Sequence, residues 1–261
     1  MVNQGLFWEI VESVRGQDGD SDHAKRLVSK LRRLSASDIV SFAVNFETLH
    51  DAAHRGDVWA AGLLLNHGHA TDDGFKYFRN WLISRGRAVY GAALKNADSL
   101  SNVKVPLGQF GPEAEFESFG YAPATAYEEV TGKDIYKSKD WKKQSKGPVV
   151  EEFEWQTYTD EVLAQRLPRL WKKYGSYKKA AAAHFSEMRK RYEVKEDEQV
   201  SIKGLGVLRI GGSIRHRNYG VGRIKSMMKC IGSAVAAQVV FSDGEHPMYI
   251  SGDSDLWSLD D

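Results

Sequence analysis

The 261 residues predict an α+β chain: a helical body followed by a small β module. Three observations carry that expectation. Apolar residues recur at helical spacing through most of the first 192 positions. Glycine and proline gather between residues 101 and 121, where a loop is predicted. After the charged run "KEDEQ", glycine and β-branched residues take over in short alternating runs. A hydrophobic content of 42% and an aromatic content of 11% suit a packed core and exclude a disordered chain. The net charge of +1 announces no nucleic-acid or membrane partner. One cysteine, Cys230, excludes an internal disulfide and a cysteine-rich zinc site, and fits a reducing compartment. Glu9 and Glu12 in the first helix are wrong for a signal peptide, and no apolar run reaches membrane length. A cytoplasmic location without a membrane partner is expected.

In "LFWEIVESVR" the residues Leu6, Ile10 and Val14 share one face, flanked by Trp8 and Val11. Ser21 or Asp22 caps a second helix whose stripe is Ala24, Leu27, Val28, Leu31 and Leu34. Ser35 or Ser37 caps a third, with Ile39, Phe42, Phe46, Leu49 and Ala53 on one side and Gly56 as its end. "DVWAAGLLLNHG" is apolar nearly all round, which places it at the centre of a bundle. A fifth helix starts at Thr71 or Asp72 and runs on through "RGRAVYGAAL", bending near Gly86. "APATAYEEVTGK" is a short helix stopped by Gly132, and "YKSKDWKKQSKGP" a mobile surface segment or linker. Helix then returns. Pro168 kinks it or begins a new turn, and Ala181, Phe185, Met188 and Tyr192 form a later stripe. The runs "VLRI", "SIRH", "VGRIKSM", "AAQVVFSD" and "PMYIS", punctuated by "GG", "NYG" and "SDGE", make the β module.

Two stretches resemble known families. Phe7-Trp8, "DVWAAGLLLNHG", "DDGFKYFRNWLISRGRAVY", "AYEEVTGK" and "YTDEVLAQRLPRLWKKYG" are similar to the bacterial DUF4240 family, over residues 1 to about 175. That resemblance implies an α-helical domain and brings no activity. "GGSIRHRNYGVGRIKSM" with "AAQVVFSDGEHPMYI" resembles the SH3/Tudor-like barrels of superfamily 1 helicases and RNA-polymerase-binding regulators. Gly212, His216, Tyr219, Gly220, Gly222 and Asp243-Gly244 carry this likeness. It implies a small five-stranded barrel, and such barrels bind proteins, nucleic acids or their own neighbouring domain.

The sharpest chemical candidate is polar. Glu47, His50, Asp51 and His54 fall within about 100° of arc on the third helix, and Glu-x-x-His is a ligand spacing of metal sites in bundles. His67, His69, Asp72 and Asp73 are further candidate ligands. Against this, the stripe lies opposite the apolar face, where solvent-facing polar residues are ordinary, and a second Glu-x-x-His is missing. Asp72 and Asp73 suit the start of a helix. Phe75, Tyr77, Phe78 and Trp81 read as core, and Arg79 and Arg87 as ion-pair partners rather than an anion site. A metal site on Glu47, His50, His54 and Asp72, serving a hydrolase, is therefore the alternative.

Four segments are expected: a DUF4240-like helical domain over 1–135, a lysine-rich linker over 136–156, a helical extension over 157–196, and an SH3/Tudor-like module over 200–261. The first functional expectation is a non-enzymatic binding or regulatory protein, with bacterial conflict or immunity as a setting that no residue encodes. Its partner is a protein ahead of a nucleic acid, and no cofactor is expected. Trp141, Lys142, Lys143, Trp155, Lys172, Lys173, Arg215 and Arg217 are the partner-binding candidates, with Trp141, Trp155 and Tyr158 as exposed anchors. Lysine interleaved with aromatic rings also suits phosphate contact and base stacking, which makes a nucleic-acid-associated factor the other alternative.

Overall fold

The computed structural model describes residues 1–16, 20–68, 71–144, 158–230, 234–252 and 256–259, without the side chains of 20, 21, 188 and 189. They form two compact units, Met1–Ala182 and Ala183–Asp261. The first is helical, the second mostly a sheet, so the chain is α+β.

In the first unit Asn3 caps α1 (Gln4–Ser13), accepting the Leu6 N–H. The buried side of α1 carries Phe7, Ile10, Val11 and Val14, while Leu6, expected there, is 40% exposed. Helix α2 (Asp20–Leu31) buries Ala24, Leu27 and Leu31. Ser35 caps α3 (Ala36–Ala52) through the Asp38 N–H. Gly56 opens α4 (Gly56–Leu65) instead of closing α3, which has already ended at Ala53. As its composition predicts, α4 is buried nearly all round.

Thr71 caps α5 (Asp72–Ser84). Gly86 then takes φ 89, a left-handed conformation that only glycine adopts cheaply. The expected bend is therefore a complete break, and the chain restarts as α6 (Arg87–Lys95), where Glu12 of α1 accepts the Arg87 N–H at 3.0 Å. After a 3₁₀ turn (Ala97–Asn102), the loop holds only the short pair β1 (Leu107–Gly108) and β2 (Gly111–Pro112). Helix α7 (Glu117–Thr131) begins well before the expected short helix and ends at left-handed Gly132.

The expected linker is structured in its first part. A 3₁₀ turn (Ile135–Lys137) leads into α8 (Lys139–Gln144), and Ser41 of α3 hydrogen-bonds Gln144 at 3.0 Å. Its remainder, 145–156, lies outside the described residues. Pro168 starts α10 (Pro168–Tyr192) directly after α9 (Asp160–Arg166), at a position where its missing N–H costs nothing. Leu163, Leu167, Leu170 and Tyr174 join the same core as Phe7, Phe42, Phe78 and Trp81. Further along, Ala181 is buried, Phe185 and Tyr192 are exposed, and the Met188 side chain lies outside the described residues.

In the second unit β3 (Gln199–Ile202) and β4 (Gly206–Arg209) form a hairpin of their own. Strands β5 (Ser213–His216), β6 (Gly220–Lys229), β7 (Ala234–Phe241), β8 (Gly244–Ser251) and β9 (Trp257–Leu259) make an antiparallel sheet in the order β8-β7-β6-β5-β9. Among the described residues this sheet stays open with β8 and β9 as edges, so the closed barrel expected from the sequence is not formed. Its inner face buries Ile214, Ile224, Val235, Val239, Phe241, Ile250 and Trp257, joined by Ile202 and Leu208 of the hairpin. Gly222 is required there, because a Cβ would stand 2.6 Å from Phe241 and Val239.

Candidate functional sites

The polar stripe of α3 is no solvent face. His50 is 7% exposed, and Glu47, Asp51 and His54 are half-buried. The reason is tertiary: α5 packs against α3 and covers part of this face. His50 Nε2 lies 3.2 Å from the Lys76 carbonyl oxygen. Arg79, also buried, donates to the carbonyl oxygens of His50 at 3.0 Å and Phe75 at 3.4 Å, with its guanidinium 4.7 Å from the centre of the Phe75 ring. Among the described residues Arg79 thus bonds backbone carbonyls in place of the expected ion pair, with Asp51 and Glu47 acting on it through space.

The electrostatics follow from burial. Desolvation raises the Glu47 carboxyl above its usual range, and the Asp51 charge adds to that. Desolvation, followed by the Arg79 charge, pushes His50 down to about 3, so its ring is neutral at physiological pH. Arg79 is lowered to about 10 by burial, against the opposing pull of Asp51 and Glu47. One donor atom each from Glu47, His50 and Asp51 lies within 4.8 Å of the other two. Asp72 does not join them: it is exposed in the first turn of α5. His67 has one ring nitrogen 3.4 Å from the Pro112 carbonyl oxygen, and His69 lies outside the described residues.

The partner-binding candidates scatter. Trp141 is half-buried against the helical core and meets Tyr136 edge-on at 5.0 Å, so it is not the exposed anchor expected. Tyr158 is likewise half-buried against that core, and Trp155 lies outside the described residues. Lys142, Lys143 and Lys172 are exposed. Lys173 is exposed too, but its ammonium donates to the Ser101 carbonyl at 2.8 Å and lies 5.0 Å from the Tyr174 ring centre. Arg215 and Arg217 are exposed on and just after β5.

From the outer side of the sheet sequence reasoning singled out Arg215, but not the apolar and aromatic residues beside it. Register pairs Arg215 with Val221, Arg223 with Val240, Val240 with Glu245, and Ala236 with Tyr249, and all of these are exposed. Val221 and Val240 are each 41% exposed and Tyr249 60%. The period-two pattern of "AAQVVF" and "PMYIS" held that information. In the helical unit, a groove of about 510 Å³ lies between α2 and α7, lined in part by Ala24, Val28, Tyr121 and Ala122, with Arg32 and Glu129 paired at 3.0 Å.

Fold and geometry define a class: a helical domain carrying a half-buried acid–imidazole cluster, and a small open sheet. Residues 2–129 match the family model described as "Protein of unknown function (DUF4240)", so this part of the helical unit is similar to that family. The match ends at 129, short of the extent that the sequence resemblance suggested. No curated protein and no solved structure matches the chain. Among the described residues, no helix is long and apolar enough to cross a membrane.

Proposed function

We propose that this chain is a non-enzymatic binding protein that recognises a macromolecular partner, a protein ahead of a nucleic acid. One observation carries the reading: the outer face of the sheet, where Val221, Val240 and Tyr249 stand exposed among Arg215 and Arg223. Exposed apolar and aromatic side chains gathered on one face mark interaction surfaces, and tyrosine and arginine are favoured anchors there. The likeness of residues 212–250 to SH3/Tudor-like modules supports the same role for this unit. Its charges are partly committed within the sheet, since Lys225 pairs with Glu245 at 2.7 Å and Arg223 donates to the Gly211 carbonyl at 2.9 Å. That favours a protein surface over a phosphate backbone.

The test is affinity isolation from the native cell with the wild type and with a Val240→Asp/Tyr249→Asp variant. A protein retained by the first and lost from the second is expected; identical sets on both overturn the reading. The nucleic-acid alternative rests on exposed Lys142, Lys143 and Lys172. It requires DNA or RNA binding that weakens steeply with salt and with neutralisation of these lysines.

A further inference from the structure

We propose that Glu47, His50 and Asp51 form a binding site for one divalent transition-metal ion on the face of α3 turned toward α5. The inference is independent of the partner-binding reading, which rests on the other unit.

Proximity comes first. One donor atom from each of the three side chains lies within 4.8 Å of the others. Ligands at about 2.0–2.2 Å from a tetrahedral zinc-like ion stand roughly 3.3–3.6 Å apart, so small side-chain rotations close the set. Spacing i, i+3, i+4 on one helix makes this a local arrangement that needs no backbone movement.

The second observation is the state of His50. Its side chain is more than nine-tenths buried, and its Nε2 faces the Lys76 carbonyl oxygen. A carbonyl only accepts, so Nε2 carries the proton and Nδ1 keeps the lone pair. The hydrogen bonds of the described residues include none to Nδ1. A carbonyl that fixes one nitrogen of an imidazole while the other stays open is the support that metal-ligating histidines receive.

Charge agrees. Two carboxylates converge, and the buried cation beside them, Arg79, gives hydrogen bonds to two backbone carbonyls. A dication between two carboxylates on one helix face offsets their mutual repulsion. An imidazole among the donors selects a zinc-class ion over magnesium or calcium, which favour oxygen throughout.

The full-length protein, stripped with EDTA, is titrated with Zn²⁺ by calorimetry and with Co²⁺ by visible absorption. One equivalent is expected, with a Co²⁺ band that reports nitrogen ligation. His50→Asn, Glu47→Gln and Asp51→Asn should each weaken binding at least about tenfold, whereas Asp72→Asn should leave it unchanged. Circular dichroism establishes folding of each variant. Glu47 and Asp51 are half-buried, so their near-isosteric changes test the site even where loss of His50 unfolds the chain. Binding below one equivalent in the wild type overturns the proposal. So does binding that survives both carboxylate changes.

Discussion

His50 lies on the polar side of a helix by sequence and in the interior by structure, and its chemistry follows from the second fact. Burial and Arg79 lower its pKa to about 3, whereas the unfolded chain holds it near 6.5. Between those values the unfolded state binds the extra proton. Stability contributed by neutral His50 is thus present above about pH 6.5 and lost as pH falls toward 3, at up to about 1.4 kcal/mol per pH unit. Glu47 acts with the opposite sign, because its raised carboxyl keeps a proton in the folded state and so favours folding at lower pH. Urea denaturation of wild type and His50→Asn between pH 7 and 5 separates the two. The wild type should lose stability relative to the variant as pH falls. In parallel, the His50 ring signals in NMR should stay at their neutral positions down to pH 5, and a midpoint near 6.5 would contradict the burial account.

Several helices here begin where side chains take up their free N–H groups, and some of those caps are local while others are not. Ser35 and Thr71 cap their own helices, so both starts were readable in sequence. The start of α10 is different. Asp98, 4% exposed and far away in sequence, accepts the Leu170 N–H at 2.9 Å, the Arg169 N–H at 3.2 Å and the Arg169 side chain at 3.0 Å. Nothing in "NADSL" announces that role, because a carboxylate reaching another helix leaves no periodic mark. Asp98→Ala leaves buried N–H groups without an acceptor, which should cost about 2–3 kcal/mol. A fall in chemical stability of the helical unit of that size is expected, and a change below 0.5 kcal/mol would deny Asp98 its capping role.

At the scale of the molecule two separate hydrophobic clusters form, one in each unit. Each is large enough to melt on its own, so calorimetry should resolve two transitions rather than one. Trp257→Ala removes a buried ring of the second cluster only, at a cost of about 3–5 kcal/mol. It should lower one transition and leave the other in place. A single transition moved as a whole would mean that α10, which runs across the boundary, binds both units into one cooperative fold.

Sequence alone determined the helical body, the change to strands near residue 200, the buried character of α4 and the Ser35 and Thr71 caps, since periodicity, turn residues and caps act over a few positions. It also brought Glu47, His50 and Asp51 to one side of one helix. Tertiary structure decided what that side meets: α5 covers it, takes His50 out of water and sets Arg79 beside it. It likewise decided that the C-terminal strands stay an open sheet, and that Trp141 leans inward. Which neighbour covers a face depends on contacts between residues distant in the chain, and these leave no repeat for a sequence to display.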